Sequence, residues 1–523
     1  MKRRDFLKTA GRAGLIAPFS LNGWAAAPLA ANSFFSKLGA NIQLSDKIMV
    51  FIELNGGNDG LNTLIPLDQY NTLSLHRPRV LIPENQVLPL SGLDHVGLHP
   101  SMTGLREMFD NGLVSIVQRV GYPDQDYSHF RSMDIWQTGS ASTAHLDSGW
   151  LGRTLQLDNP MYPTGYPNDD RPDPLAIQIG SVSAVALMGS AFPMGVSVSN
   201  PDEVYDLVND YIEPAPATPY GDELTYIRTV MQKTKAYSEV IKDAAIAGQN
   251  LSTLYPPDYE NELADQLRLV ARLIGGGLST QVYLVSIGGF DTHSEQVVDG
   301  DTLYGNHADL MRRVSEAIYA FQDDIQLMGK ADQVCGMTYS EFGRTIADNE
   351  SFGTDHGAAA PLFVFGKGVQ PGIIGSNYNV PMELEESSDV PMQHDFRSVY
   401  ASVLKDWFQL SAPQEILYED FPILPIFKDT VPVQESSARD PFGFRHYPNP
   451  VRSEAMVEFA IPAGRVTLQL LDAQGRVVRK WTEGYYPAGK HQVTVSREGL
   501  PPGVYYCQLR LNGIGTVRKM VIQ

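Results

Sequence analysis

The stretch Lys47-Ile-Met-Val-Phe-Ile-Glu-Leu54, followed by Asn55-Gly-Gly-Asn-Asp-Gly60, decides the fold class. A nearly continuous apolar run is typical of a strand that is buried on both faces, and such strands occur mainly in parallel sheets. The run ends in a sharp polar turn that contains three glycines. Because ligands bind at the carboxyl ends of the strands in open parallel sheets, functional residues are expected in this turn.

The same pattern recurs along the chain. Further apolar runs predict strands over Leu113–Val120, Leu175–Gly180, Gln281–Ile287, Gln333–Tyr339 and Leu362–Phe365. Helical spacing of apolar residues occurs in Ser101–Asn111, Glu223–Ala247, Tyr259–Ile274, His307–Met328 and Phe396–Leu410. Strands that alternate with helices predict an α/β fold over residues 47–429, a three-layer sandwich with a mainly parallel sheet. A helical insertion is expected over about residues 201–278.

The character of the sequence changes near Thr430. Residues 430–445 are largely polar and predict a linker. From 446 to 523, short strands alternate with turn residues, and the predicted strands are Ala455–Ile461, Arg465–Asp472, Val477–Thr482, His491–Val495, Gly503–Leu511 and Thr516–Ile522. This spacing predicts a small C-terminal all-β sandwich.

Composition excludes several classes of protein. The 523 residues carry a net charge of -20, so the chain repels phosphate backbones and general nucleic-acid binding is not expected. The two cysteines, Cys335 and Cys507, fall in different predicted domains, which excludes a disulfide scaffold and a cysteine-based zinc site. Any metal must therefore be held by His, Asp, Glu or Asn.

The N-terminus has the features of an export signal. Arg3-Arg4 with Phe6-Leu7-Lys8 precedes a weakly apolar stretch and small residues around Ala25-Ala26-Ala27. This pattern predicts a twin-arginine signal peptide over residues 1–31. Arg12 and Pro18 interrupt the apolar stretch, which is too weak for a stable membrane span. Twin-arginine export moves folded proteins, often after a metal or cofactor has been loaded in the cytoplasm.

Five polar clusters adjoin predicted strands. Their candidate functional residues are Asn55 and Asp59, then Ser128, His129 and Arg131, then Asp291 and His293, then Glu341 and Arg344, and finally His356. Residues two apart in extended backbone point to the same side, so Asp291 and His293 could reach one cation. Mixed nitrogen and oxygen ligands suit Zn²⁺ or Mn²⁺ better than Ca²⁺.

Each cluster also has a plainer structural interpretation. Ser128 could be a nucleophile, His129 a base or ligand, and Arg131 a clamp for an oxyanion, but the same segment could simply cap a helix. Glu341 and Arg344 could be a ligand and an anion clamp, or only a salt bridge. Together the clusters predict one cation held by Asp291, His293 and His356, with Asn55 or Asp59 completing the shell.

These motifs resemble those of domain-of-unknown-function family 1501. The matching residues are Leu54-Asn-Gly-Gly-Asn-Asp-Gly60, Ser128-His-Phe-Arg-Ser-Met-Asp134, Gly289-Phe-Asp-Thr-His293 and Ser340-Glu-Phe-Gly-Arg-Thr345. That family is related to the alkaline phosphatase and sulfatase superfamily. The resemblance implies metal ligands at Asn55 or Asp59, Asp291, His293, Glu341 and His356, and a nucleophile at Ser128.

Two departures from the superfamily pattern alter this expectation. Asp291 and His293 are closer together than usual, and Glu341-Phe342 stands where an Asp-His pair is expected. One histidine ligand is therefore missing, which points to a one-metal site or a changed chemistry.

The C-terminal segment resembles the type IX secretion sorting domain. The matching residues include Tyr447-Pro-Asn-Pro450 and Leu500-Pro-Pro-Gly-Val-Tyr-Tyr506. The resemblance implies passage through the periplasm and across the outer membrane, so that the protein is secreted or held at the cell surface. A carbohydrate-binding or adhesive sandwich is the alternative.

Two functions are compatible with these features. The first is a secreted metal-dependent hydrolase of phosphate or sulfate esters, with a small-molecule or polymer substrate. The second is a non-catalytic sulfatase-like protein that binds a ligand or an envelope partner. The expected partners are the twin-arginine and type IX export machineries. The family resemblance adds a companion protein of domain-of-unknown-function family 1800.

Replacing both signal arginines, Arg3→Lys with Arg4→Lys, is expected to leave the precursor in the cytoplasm. The paired guanidinium groups are what the folded-protein export route recognises. Cell fractionation with immunoblotting measures the distribution, and Lys8→Arg, which keeps the pair, is the matched control. Normal export of the double variant would refute the twin-arginine assignment.

Overall fold

The structure, a computed structural model, describes three parts of the chain. These are residues 19–21 and 24–26; 46–428 except 161, 164, 181–183, 200–236 and 386; and 444–522 except 448, 450, 462, 472–476, 502 and 512–513. Most of the predicted signal peptide, most of the linker and the first part of the helical insertion lie outside the described residues. Residues 44–429 and 430–523 belong to two separate compact units.

The first unit contains sixteen described strands. They are β1 (Phe19–Leu21), β2 (Trp24–Ala26), β3 (Ile48–Leu54), β4 (Leu64–Pro66), β5 (Leu88–Pro89), β6 (Val96–Leu98), β7 (Val114–Gly121), β8 (Ala176–Ile179), β9 (Val196–Val198), β10 (Val282–Ile287), β11 (Val334–Tyr339), β12 (Gly343–Arg344), β13 (His356–Gly357), β14 (Ala360–Gly366), β15 (Gly372–Ile374) and β16 (His394–Asp395). Every strand predicted for this unit is present, and β14 extends beyond its predicted bounds at both ends.

Helices connect these strands. They are α1 (Gly60–Thr63), α2 (Tyr70–His76), α3 (Thr103–Asp110), α4 (His129–Thr138), α5 (Trp150–Asp158), α6 (Glu262–Gly275), α7 (Asn306–Leu327), α8 (Phe396–Ser402) and α9 (Gln414–Leu417). Residues 237–247 are also helical. The helix predicted over Phe396–Leu410 is α8 followed by the π-helical segment Val403–Trp407.

A nine-stranded sheet forms the centre of this unit. Its order is β15-β7-β14-β11-β3-β10-β8-β9. β16 pairs with the C-terminal end of β7, at Val120 and Gly121. β3 pairs in parallel with both β10 and β11. Among the described strands of this sheet, β14 alone runs against its neighbours, β7 and β11. Residues that precede β14 therefore meet residues that follow β3, β7, β10 and β11, all at one edge of the sheet.

Helices cover both faces of the sheet. Alternate residues of β3, from Ile48 to Leu54, lie in one apolar cluster with residues of α3, α6 and α7. On the opposite face, Phe51 contacts the ring of Trp150 in α5 at 5.5 Å, and Trp150 stacks on Tyr400 of α8 at 4.1 Å. Burying each such side chain contributes roughly 1.5–3 kcal/mol. The predicted three-layer arrangement with a mainly parallel sheet is confirmed.

The second unit consists of two antiparallel sheets. Its strands are β17 (Arg445–Tyr447), β18 (Glu454–Ile461), β19 (Gly464–Leu471), β20 (Val477–Tyr486), β21 (Gly489–Ser496), β22 (Gly503–Leu511) and β23 (Ile514–Ile522). The sheets have the orders β17-β18-β21 and β20-β19-β22-β23. Val457 of the first sheet and Leu468 of the second belong to one core cluster. This is the all-β sandwich that the sequence predicted.

A cluster of buried polar side chains adjoins the loop that follows β3, and its members are Asp59, Arg77, His99, Gln296 and His307. Asp59 Oδ2 accepts hydrogen bonds from Arg77 Nη2 and Gln296 Nε2, both at 2.5 Å. The rings of His99 and His307 meet edge to face at 5.6 Å. Burial lowers the pKa of His307 to about 4 and that of His99 to about 3. Both imidazoles are therefore neutral in the folded protein at neutral pH.

Stability is expected to fall as the pH is lowered from about 6.5 towards 4. Between these values the unfolded chain protonates both histidines and the folded chain does not, so each contributes a slope of about 1.4 kcal/mol per pH unit. Asp59, Arg77 and Arg344 are the charged neighbours of His307. Urea unfolding in the presence of a chelator measures the slope.

The variant His99→Gln should remove one histidine's share of this slope. The matched control is His145→Gln, because His145 is exposed. A slope that is the same in the parent protein and in His99→Gln would contradict the assignment of neutral buried histidines.

Candidate metal centre

Loops at one edge of the sheet bring together the candidate residues. Asp291 and His293 follow β10, and Glu341 follows β11. His129 begins α4, which comes after β7, and His356 begins β13, just before β14. These are the strand-end positions at which the sequence predicted a site.

Ligand atoms of His129, Asp291 and His356 all lie within 4.8 Å of one another at this edge, and His293 contacts two of these residues. Nε2 of His293 lies 2.9 Å from Nε2 of His356, and Asp291 Oδ1 lies 3.2 Å from each of these nitrogens. Asp291 Oδ2 lies 3.4 Å from His129 Nε2. Two ligands held at about 2.1 Å by one tetrahedral cation lie roughly 3.4 Å apart. The spacing of Asp291, His293 and His356 therefore suits ligands of a single cation, and their role as ligands stays a prediction.

Each imidazole has its Nδ1 atom beside an oxygen acceptor. The three pairs are His129 with Glu341 Oε1 (2.8 Å), His293 with Asp355 Oδ1 (2.7 Å) and His356 with the Tyr127 carbonyl (2.8 Å). Ionised carboxylates and carbonyls only accept hydrogen bonds, so the Nδ1 atoms carry the protons. The Nε2 atoms then direct their lone pairs at the centre, which is how histidine ligands are oriented by their outer partners.

The contact between His293 and His356 tests whether a cation fits. Two nitrogen lone pairs 2.9 Å apart repel each other unless a proton or a cation lies between them. Burial lowers the pKa of His356, which disfavours an added proton on that ring. Burial acts to raise the pKa of Asp291, but the hydrogen bond and charge of Arg344 outweigh it and hold this pKa below its usual range. A negative carboxylate together with imidazole nitrogen atoms is a donor set that suits a divalent cation.

Arg344 holds Asp291 in place. Its guanidinium is fully buried and donates to Asp291 Oδ1 at 2.7 Å. It also donates to the carbonyls of Gly57, Phe290 and Thr354, each at 2.9 Å. The guanidinium therefore donates its hydrogen bonds to groups of the protein, and it contacts the Asp291 carboxylate from the buried side. It is not free to clamp a substrate oxyanion.

Two glycines allow the loop after β3 to approach the site. Gly56 and Gly57 have φ values of 125° and 87°, which favour glycine. A Cβ atom on Gly56 would lie 2.3 Å from the Asp291 nitrogen, and one on Gly57 would lie 2.5 Å from the ring of Phe342. The glycines of the predicted polar turn are thus required for close packing.

Glu341 lies behind His129. Its Oε1 accepts hydrogen bonds from His129 Nδ1 and from the backbone N–H of Gly56, both at 2.8 Å, and its Oε2 accepts one from Ser340. The side chain is 1% exposed. The structure thus places Glu341 as a partner that orients an imidazole, rather than among the converging ligand atoms.

The structure directs the Asp59 side chain away from the cluster, and the ligand role of Asn55 stays a prediction. The Asn55 amide donates to Glu53 Oε1 at 3.1 Å. Asp59 turns inward after the glycine turn and forms the buried ion pair with Arg77. His129 contacts the cluster where one of these two residues was expected.

Ser128 and Arg131 have different environments. Ser128 is exposed at the N-cap of α4, and its hydroxyl makes no capping hydrogen bond. The Arg131 guanidinium binds Asp134 and the carbonyls of Ser142 and Ala144. Arg131 therefore stabilises the loop after α4 and is not available as the predicted clamp.

Sequence patterns did not identify the outer partners Tyr127 and Asp355. Asp355 adjoins His356 in the sequence but contacts His293, 62 positions away. Tyr127 acts through its carbonyl, which every residue possesses. The only available signal was adjacency to a predicted ligand.

Comparison with known families adds two findings. Residues 46–419 match the family described as protein of unknown function, DUF1501. The chain belongs to the DUF1501 family. Residues 445–523 of this DUF1501 protein match the secretion system C-terminal sorting domain, which confirms the second resemblance and indicates secretion to the cell surface. Among the described residues, no helix combines the length and apolar character needed to cross a membrane.

Solved structures similar to this DUF1501 protein include three that match most of the length of both chains. A protein from a Bacteroides thetaiotaomicron locus for glycosaminoglycan metabolism is 10% identical, with a TM-score of 0.33 and coverage of 83% of this chain and 88% of that one. An alkaline phosphatase superfamily protein from Vibrio parahaemolyticus has 10% identity, a TM-score of 0.32, and coverage of 99% and 88%. A phosphonate monoester hydrolase from Silicibacter pomeroyi has 11% identity, a TM-score of 0.29, and coverage of 91% and 88%.

A short part of the chain is similar to part of another protein. PorZ, a type IX secretion component of Porphyromonas gingivalis, is 18% identical over 16% of this chain, with a TM-score of 0.12, and only 11% of its own length is covered. A comparison with curated proteins gave no match. Similarities of this strength do not identify an activity.

Proposed function

We propose that this protein is a cell-surface, metal-dependent hydrolase of phosphate or sulfate esters. The convergence of His129, Asp291 and His356, with His293 in contact with the latter two, supports the proposal most directly. The Nδ1 atom of each imidazole lies beside an acceptor outside the cluster, which leaves the Nε2 atoms available as ligands. The reaction class comes from the resemblance to the alkaline phosphatase and sulfatase superfamily. The proposed metal ligands are His129, Asp291, His293 and His356.

A divalent cation held by these residues, Zn²⁺ or Mn²⁺ by the nature of the donors, would supply Lewis-acid polarisation of an ester oxygen. The chain's own residues prepare the site. Arg344 orients the carboxylate of Asp291. Glu341 orients the ring of His129. Held in place in this way, the ligands need little reorganisation when the substrate binds.

Ser128 is the proposed nucleophile. Its hydroxyl is exposed and lies one residue before His129, at the N-terminus of the ten-residue helix α4. Backbone N–H groups at a helix N-terminus favour an anionic group such as a phosphate or sulfate. Arg131 and Arg344 are engaged elsewhere, so this helix terminus is the proposed source of oxyanion stabilisation.

Metal binding can be tested on the purified full chain after treatment with a chelator. Adding Zn²⁺ or Mn²⁺ at about 100 times its dissociation constant is expected to stabilise the protein by about 2.7 kcal/mol. His293→Ala should lose most of this effect and most of the bound metal. His145→Ala, which removes an exposed histidine, is the control. The proposed centre is refuted if Zn²⁺, Mn²⁺ and Ca²⁺ all leave the thermal unfolding unchanged.

Turnover can be tested with 4-nitrophenyl phosphate, bis(4-nitrophenyl) phosphate and 4-nitrophenyl sulfate. Ser128→Ala is expected to lower kcat at least about 100-fold, because it removes the attacking oxygen. Ser91→Ala changes another exposed serine and should have no effect. Retained activity in Ser128→Ala would exclude Ser128 as the nucleophile. Absence of turnover with every ester and metal would favour the non-catalytic alternative.

A further inference from the structure

A second feature of this unit shares Arg344 with the surroundings of the metal centre. It is a cleft with an empty volume of about 430 Å³, including its open mouth. Leu61, Leu64 and Val390 form part of an apolar wall, and Gln118 and Arg119 supply polar groups. None of these residues belongs to the proposed metal centre.

A β-bulge aims the polar residues of this cleft. In the pairing of β7 with β14, Val120 lies opposite Ala360 and Val117 opposite Leu362. Gln118 and Arg119 of β7 are therefore both set against Pro361. Proline has no N–H for a ladder hydrogen bond, which explains why the pairing is irregular here. Bulges of this kind redirect side chains and are frequent beside active sites.

Arg119 adopts a backbone conformation that is unfavourable for its type. Its φ is 53°, in the left-handed region that L-residues rarely occupy. The Arg119 carbonyl accepts a hydrogen bond from the Gln393 N–H at 2.8 Å, and its Nε donates to the Pro391 carbonyl at 2.9 Å. Conformations of this kind persist where the surroundings enforce them, and they cluster at ligand sites.

The Arg119 charge has no carboxylate partner among the described residues. Its guanidinium lies over the Tyr378 ring, 5.3 Å from the centroid, and both Nη atoms lack a hydrogen-bond partner in the described part of the chain. In contrast, Arg344 and Arg131 are both held by several acceptors. Burial lowers the pKa of Arg119, consistent with a cation that lacks a counter-ion.

The cleft and the metal centre share structural elements. Arg344 lines the cleft and also donates to Asp291. His356 contributes to the metal centre, while Ala359, Ala360 and Pro361, which follow it closely in the chain, line the cleft. The cleft and the metal centre are therefore linked through Arg344 and through the segment that begins at His356.

We propose that this cleft binds the non-reacting part of the ester substrate, and that Arg119 binds a second anionic group on it. The group would be a carboxylate, sulfate or phosphate, because the planar guanidinium fork with two free Nη atoms matches such oxyanions. The apolar wall receives the organic framework. The identity of the ligand as substrate rests on the proposed hydrolase function, but binding by the cleft does not.

Binding is tested first on the full chain with a chelator present, so that the probes cannot bind a metal. The probes are 2-naphthoate and its neutral counterpart 2-naphthalenemethanol. Titration calorimetry measures the dissociation constant of each. The parent protein should bind the carboxylate at least about tenfold more tightly, the effect of a hydrogen bond to a charged group. Arg119→Gln should abolish this preference and leave binding of the alcohol unchanged.

Two further variants guard against a folding artefact. Arg119→Gly relieves the backbone strain at φ 53° and should fold at least as well as the parent while losing the preference for the anion. Arg106→Gln removes an arginine that is paired with Asp110 and should keep the preference. Equal binding of the two probes to the parent, or an unchanged preference in both Arg119 variants, would overturn the proposal.

Measurements of hydrolysis then show whether the anionic group bound by Arg119 belongs to the substrate or to a separate molecule. The kcat/KM for 2-carboxyphenyl phosphate relative to phenyl phosphate should fall about tenfold in Arg119→Gln, with phenyl phosphate itself unaffected. If 2-naphthoate binds through Arg119 but this ratio does not change, the cleft binds a separate anion and the substrate assignment is overturned. If neither ester is hydrolysed, the hydrolase proposal fails. The calorimetric result still shows whether Arg119 binds an anion in the cleft.

Discussion

The buried guanidinium of Arg344 is the interaction on which the rest of the site depends. It joins the turn after β3, the loop after β10 and the segment before β13 through the carbonyls of Gly57, Phe290 and Thr354 and the carboxylate of Asp291. A fully buried cation is costly unless every donor is satisfied. These loops are therefore constrained to one arrangement, and that arrangement directs Asp291 at the three imidazoles.

The imidazoles depend in turn on acceptors outside the cluster. Glu341 and Asp355 are carboxylates, while the acceptor beside His356 is a neutral carbonyl. A carboxylate partner makes an imidazole a stronger ligand than a carbonyl does, because it stabilises positive charge on the ring. His129 and His293 therefore have carboxylate partners that fix the orientation of their rings, and His356 has a carbonyl partner. Burial lowers the pKa of His356, which favours the neutral form of that ring beside the Asp291 carboxylate.

The fold could be predicted from the sequence because apolar runs and helical spacing report burial directly, and the strand-end rule then located Asp291, His293 and His356. Side-chain direction after a glycine turn could not be predicted, since it depends on local dihedral angles such as φ 125° at Gly56. Asp59 turns away from the site because Arg77, 18 positions later, is buried beside it. No local sequence pattern shows that Asp59 pairs with a residue 18 positions away, and none shows that Glu341 faces His129.

Phe342 stands at the position where the superfamily resemblance implies a histidine. The Phe342 ring is buried and lies 4.9 Å from the ring of His129 and 4.6 Å from that of His356, centroid to centroid. An aromatic ring offers no ligand for a second cation, but it packs against the two imidazoles and limits their rotation. Glu341, the residue before it, orients His129 from behind. Glu341 and Phe342, where the resemblance implies an Asp-His pair, thus orient and pack against the imidazoles of the candidate centre.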